Sequence, residues 1–323
     1  MRVMITGGAG FLGDLLATEL LENGIAAAGG ERRAVDELVV LDLAPARGTV
    51  AADDRTTSIV GDLIDVLPGL QPVDVIFHLA GVVSSAAEAD FDLGMRVNID
   101  GSRALLEWAR ACQNQPVLVF TSSLAVFGFD AAEGASTIHD ETLPQPTSSY
   151  GIQKFITEQL VADYARKGFI DGRSVRLMTV SVRPGRPNAA ASSFLSSIIR
   201  EPLAGEPAVC PVPADLPVAV SSPRRTLDGL IRAAEASREE WGGTTAVTLP
   251  ALTTTPGALA EALGRVGGRD RQALIKWTSD PAITALVGGW PSVFQVERAR
   301  RLGLQTAASP DEIVSEYLST LSS

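Results

Sequence analysis

The chain has 323 residues, 46% of them hydrophobic and 20% charged, and carries a formal net charge of −11. A chain of this size and composition buries a substantial core, which excludes a disordered segment and a small disulfide-stapled scaffold. Its acidity argues against nucleic acid as a partner, because a phosphate backbone calls for clustered Lys and Arg.

The chain opens on residues 2–6, an apolar run with no basic and apolar leader before it. Further runs at 38–42, 73–80, 116–122 and 175–182 are continuous in Val, Ile, Leu and Phe and read as buried parallel strands. Helical spacing falls between them, at 11–23, 98–112 and 149–167. Alternating strand and helix predicts an α/β fold with an open, mostly parallel sheet covered on both faces. After residue 183 proline becomes frequent, as suits loops and short helices around a cleft. Thr255-Pro256 reads as a helix cap followed by Pro in the first turn, opening a helix over 257–266. Pro291 opens another over 292–302, and 311–321 is a third. The working division is 1–182 for nucleotide binding and 183–323 for substrate, with part of the second region returning to the first.

Cys112 and Cys210 are the only cysteines. Two lone thiols make neither a metal cluster nor a disulfide framework, and they suit a reducing compartment. No stretch reaches the roughly 18 apolar residues of a membrane span. The expectation is a cytoplasmic protein with no metal and with no membrane or nucleic-acid partner.

Gly7, Gly10 and Gly13 lie between the first strand and the first helix. Such spacing gives a tight turn, backbone that approaches a pyrophosphate closely, and a helix packed hard against the strand. Phe11, Leu12 and Gly13 then open a helix whose N-terminus favours a phosphate. Asp42 ends the second strand, where a carboxylate accepts from ribose hydroxyls and repels a 2′-phosphate. The expected cofactor is therefore NAD rather than NADP. The interval from Gly13 to Asp42 exceeds the usual ~20 residues. A loop around residues 29–33 accounts for the excess, and Arg32 or Arg33 bent toward the ribose would weaken the NAD preference. Asp62 and Leu63 suit the adenine end, and Leu79, Ala80 and Gly81 a turn along the cofactor. His78 reads as a core histidine.

Tyr150 and Lys154 stand one helical turn apart, behind Thr121-Ser122-Ser123. A phenol with an ordinary pKa near 10 is a poor base at neutral pH until a neighbouring cation favours the phenolate. Lys154 supplies that cation on the same helix face. Ser123, with Ser122 as the alternative, is placed to bond the reacting oxygen.

Taken together, residues 6–13, Asp42, 61–63, 78–81, Asn98, 122–128 and 150–154 resemble the extended short-chain dehydrogenase/reductase family. The resemblance implies a Rossmann-type doubly wound sheet, NAD, and catalytic roles for Ser123, Tyr150 and Lys154, with Asn98 supporting a water near the lysine. Family dehydratases carry an Asp-Glu pair where this chain has Leu124 and Ala125, so elimination of water is not expected. Family epimerases carry Asn, Gly and Pro where Thr179, Val182 and Arg183 stand here; a nucleotide-sugar epimerase remains the alternative reading. The segments 182–194, 199–203, 210–212 and 222–224 look most like members acting on four-carbon sugar acids, with support from Trp290-Pro291 and 298–303. That implies oxidation of a small sugar acid at C2. Its carboxylate needs a cation, for which Arg183, Arg186 and Arg224 are candidates. Ser84, Asn188, Ser192 and Ser193 are available for hydroxyls. The family also implies a homodimer built on the helices at 98–112 and 149–167. Ala104, Leu105, Trp108 and Ala109 suit that face and an intrachain core equally well.

Overall fold

The computed structural model describes residues 1–128, 137–185 and 192–321. Seven strands form its main sheet: β1 (Arg2–Thr6), β2 (Glu37–Asp42), β3 (Thr56–Val60), β4 (Val75–His78), β5 (Val117–Ser123), β6 (Asp171–Leu177) and β7 (Val247–Thr248). Their spatial order is β3-β2-β1-β4-β5-β6-β7, and every neighbouring pair is parallel. Strand addition reverses direction between β1 and β4, which opens a crevice at the C-terminal ends of those two strands.

Side-chain alternation divides the core. Val3 and Ile5 of β1, with Val117 and Val119 of β5, join Leu16 and Leu20 of α1 (Phe11–Asn23) and Leu230 of the helix Pro223–Glu235 on one face. Met4, Leu118 and Phe120 point the other way, onto Leu105 of α2 (Ser102–Cys112) and Val161 of α3 (Ser149–Arg166). Ala104, Leu105, Trp108 and Ala109 all belong to this second face of the intrachain core.

Three departures from the sequence reading have physical reasons. β3 (Thr-Thr-Ser-Ile-Val) is a half-exposed edge strand, so it lacks the apolar run that marks its neighbours. β6 begins at Asp171, inside a polar stretch, because Arg173 is fully buried. Its guanidinium donates to the carbonyls of Ala233, Ala234 and Ala236 at the end of Pro223–Glu235 and pairs with Asp171 at 2.7 Å. A cation there complements the unpaired carbonyls of a helix C-terminus. The helix expected over 292–302 is a short strand, Phe294–Gln295, paired in parallel with Ile138–His139, followed by a helix at Glu297–Arg301.

The C-terminal region has a core of its own, built on the helix Phe194–Leu203, Val218, Val220, Leu263 and Ile313. A three-stranded sheet supports it, with Val218–Ser221 between Thr179–Val180 and Leu252–Thr254. The helix Pro223–Glu235 and strand β7 return to the main sheet. The loop between α1 and β2 lies at the N-terminal ends of the strands. Ile25 bridges Arg33, and Arg32 donates to the Gly24 carbonyl at 3.0 Å and pairs with Glu235 at 2.6 Å. Arg32 is thus held at the edge of the sheet opposite the crevice. Among the described residues no helix is long and apolar enough to cross a membrane.

Candidate active site

Gly7 takes φ +71°, and a Cβ there would stand 2.7 Å from the backbone nitrogen of Ala80. Only glycine permits both the turn and the approach. A side chain at Gly13 would strike the Gly7 carbonyl oxygen and come within 2.6 Å of the Gly8 Cα, so α1 packs directly on the turn. Its N-terminus is capped by Gly10 without a side-chain acceptor, which leaves backbone amides for an anion. Asp42 stands one residue past the Thr6–Leu41 pair, level with the turn. Its carboxylate accepts from the amides of Ala9 at 3.0 Å and Ala44 at 3.3 Å.

Two chambers meet at Gly7 and Gly10. The outer one, of about 420 Å³, is walled by Asp42, Asp62, Leu63, Leu79, Ala80, Gly81 and Arg96. The inner one, of about 280 Å³, is walled by Phe11, Leu12, Gly13, Leu79, Gly81, Ser123, Tyr150, Lys154 and Arg183. An elongated crevice with an anion-ready helix end at its waist fits a dinucleotide. Asp62 holds two partners already: it caps Ile64 at 3.0 Å and receives Arg96 at 2.9 Å.

α3 delivers Tyr150 and Lys154. Ser148 caps it by accepting from Gly151 at 3.2 Å, and Gly151 lacks the Cβ that would strike the Ala125 carbonyl. That close seating brings Tyr150 to Ser123. Burial raises the Tyr150 phenol above its ordinary value, while a hydrogen bond from Ser123 and the charge of Arg183 pull it back down. Lys154 is buried and donates to the Thr121 carbonyl at 2.9 Å, with its Nζ 5.7 Å from the Tyr150 ring centre. Burial pulls its pKa down to about 8, against the opposing Glu158 carboxylate. Ser122, the alternative to Ser123, also lines the inner chamber, and its hydroxyl donates to Glu158.

Asn98 lies in a stretch of π-helix, Met95–Gly101, whose freed Asn98 carbonyl takes hydrogen bonds from Ser102 at 2.7 Å and Thr157 at 3.1 Å. Its side chain clamps Val82, accepting from the amide at 2.9 Å and donating to the carbonyl at 3.2 Å. It also donates to Gln153 at 2.8 Å. Asn98 therefore fixes the loop after β4 close to Lys154 without lining the crevice.

A third cavity, of about 80 Å³, adjoins the inner chamber and shares Val83, Ser123, Tyr150, Met178 and Arg183 with it. Ser84, Leu124, Ala125, Thr179, Ser192 and Trp290 also line it among the described residues. Asn188 and Arg186 lie outside the described residues. Ser193 precedes the helix Phe194–Leu203 and is not part of this wall. Arg224 stands on another surface. It pairs with Glu19 at 2.8 Å and Asp228 at 3.1 Å, on a separate groove between α1 and the C-terminal helix Pro310–Leu321. Those carboxylates hold it outside the two chamber walls that Tyr150 lines. The sequence reading also missed the pair beneath the site, Glu158 and Arg176, joined at 2.9 and 2.7 Å. Its signal is a carboxylate four residues after Lys154 in a helix face that is otherwise buried.

His78 is buried between the hydroxyls of Thr6 at 2.6 Å and Ser102 at 2.9 Å. Burial, with the Lys154 charge adding, drops its pKa to about 3. The unfolded chain then binds one proton more than the native one between pH 6.5 and that value, so stability falls as pH drops through this window. Urea unfolding between about pH 5.5 and 4 should carry a slope approaching about 1.4 kcal/mol per pH unit from this residue. His78→Asn should remove it; an unchanged slope would count against the assignment.

Residues 3–218 match the family described as the NAD dependent epimerase/dehydratase family. A D-erythronate dehydrogenase of Cupriavidus necator is 46% identical over 322 residues, covering 98% of each chain. A second, from Haemophilus influenzae, is 37% identical and covers 98% of this chain and 99% of that one. A solved structure titled as a nucleoside-diphosphate-sugar epimerase from Agrobacterium tumefaciens superposes with a TM-score of 0.89 at 37% identity, over 99% of this chain and 94% of that one. With the glycine turn, the reversed strand order and full-length relatives in agreement, the chain belongs to the NAD dependent epimerase/dehydratase family, and NAD is its cofactor.

Proposed function

We propose that this NAD-dependent dehydrogenase oxidises D-erythronate, or a close aldonate, at C2 to the 2-oxo acid. Two relatives named as D-erythronate dehydrogenases align along nearly the whole chain, which supports the substrate class. The observation that carries the site assignment is the wall common to two cavities: Ser123, Tyr150 and Arg183 face both the nucleotide crevice and the small third cavity. A cavity of about 80 Å³ suits a four-carbon acid far better than a nucleotide sugar.

Tyr150 takes the proton of the C2 hydroxyl, and Ser123 holds that oxygen. Arg183, beside Tyr150, pairs with the neighbouring carboxylate. Lys154 keeps a positive charge next to the phenol. Gly7, Gly10, Gly13 and Asp42 would hold NAD, which would supply the acceptor for the hydride leaving C2. Ser84 and Ser192 remain for the outer hydroxyls.

D-erythronate with NAD should accumulate NADH, and NADP should support a kcat/KM lower by at least about tenfold, because Asp42 repels a 2′-phosphate. Interconversion of a nucleotide sugar without net NADH would replace this reading with the epimerase. A preference for NADP would refute the role of Asp42.

A further inference from the structure

Three cavities run in a row from the glycine turn. The middle one shares Ser123, Tyr150 and Arg183 with the nucleotide chamber, and Leu124, Thr179 and Trp290 with a void of about 10 Å³ beyond it. Trp290 touches the second and third cavities and not the first, so it stands at the end away from the phenol. Past it the void is lined by Leu195, Val218, Ala219 and Val287, an apolar pocket with room for about one water.

The indole is held in place from both sides. Its backbone nitrogen donates to the Val287 carbonyl at 3.1 Å, where the helix Pro281–Gly288 ends, and buried Pro291 follows it. Its side chain packs on the small cluster of Leu124, Met178 and Ala219, and on the larger core around Leu195. A large, rigid side chain fixed in this way is a wall and not a flap.

We propose that Trp290 sets the length of the acid this enzyme accepts, by closing the substrate cavity where C4 ends. The inference rests on the function proposed above. Arg183 and Tyr150 are neighbours, and they fix the adjacent C1 and C2 of the substrate. The remaining carbons then run toward Trp290. A four-carbon acid stops short of the indole, and each further carbon meets it.

The test is a series of four-, five- and six-carbon aldonates with the wild-type enzyme, Trp290→Ala and Trp290→Phe. Wild-type kcat/KM should fall by at least about tenfold for each added carbon. Trp290→Ala joins the cavity to the void, so the six-carbon to four-carbon ratio should rise by at least about tenfold, with Trp290→Phe between. A ratio within about threefold of wild type in both variants overturns the proposal. Melting curves identify a variant that has lost its fold, and Trp290→Phe, which removes least volume, then decides. Calorimetric binding of the same acids separates this inference from the one beneath it. Length discrimination in binding, lost in Trp290→Ala but without turnover at C2, keeps the wall and rejects the reaction. Turnover of the four-carbon acid with length preference unmoved keeps the reaction and rejects the wall.

Discussion

Replacing Tyr150 by Phe will slow turnover by about 10²–10⁴-fold, the range for loss of a positioned acid–base group, while NAD binds as before. The phenyl ring preserves the wall of the inner chamber and of the substrate cavity, so the change removes one oxygen and little packing. That oxygen has a definite environment. Burial disfavours its charged form; the Ser123 hydroxyl and the Arg183 charge favour it. Lys154 contributes more indirectly than its spacing from Tyr150 suggests, since its Nζ is bound to the Thr121 carbonyl and lies 5.7 Å from the phenol ring centre. Steady-state kinetics with an NAD titration make the measurement. Turnover within a few-fold of wild type would remove Tyr150 from the mechanism, and lost NAD affinity would make it a binding residue.

The second large effect is on stability. Glu158 and Arg176 form a buried pair with two short hydrogen bonds; Ser122 donates to the same carboxylate and Phe127 stacks under the guanidinium at 4.9 Å. Removing one member strands the other charge in a dry interior. Glu158→Gln should therefore cost about 3–5 kcal/mol and lower the melting temperature by roughly 6 °C or more. The double change Glu158→Leu with Arg176→Met replaces the pair by apolar volume and should recover most of that loss. Equal melting temperatures for Glu158→Gln and wild type would show that the pair is relaxed or hydrated in solution.

The sequence makes the nucleotide half legible because its signals are local. An apolar run, three glycines and a helix with Leu16, Ala17, Leu20 and Leu21 buried follow one another within Arg2–Asn23, and the chemical pair falls within a single turn of α3. The substrate half is harder to read. Its proline-rich texture conceals the helices Phe194–Leu203 and Pro223–Glu235, although Ser222-Pro223 has the same cap-then-proline signature as Thr255-Pro256. Arginines are the least legible of all. Arg183 and Arg224 are equivalent in the sequence, and only tertiary placement puts one beside Tyr150 and the other among Glu19, Asp228 and Glu316. Arg173 lies before the run at 175–182 that reads as a strand, yet three helix-end carbonyls enclose it.

The long connection between α1 and β2 bears on how cofactor-binding carboxylates are located in related sequences. Asp42 reaches its post because β2 pairs in register with β1, from Arg2 opposite Glu37 to Thr6 opposite Leu41. Residues gained on the far rim leave that alignment untouched. The ruler that sets the carboxylate beside the glycine turn is the ladder of paired strands, and counting amino acids along the chain is a poor substitute for it.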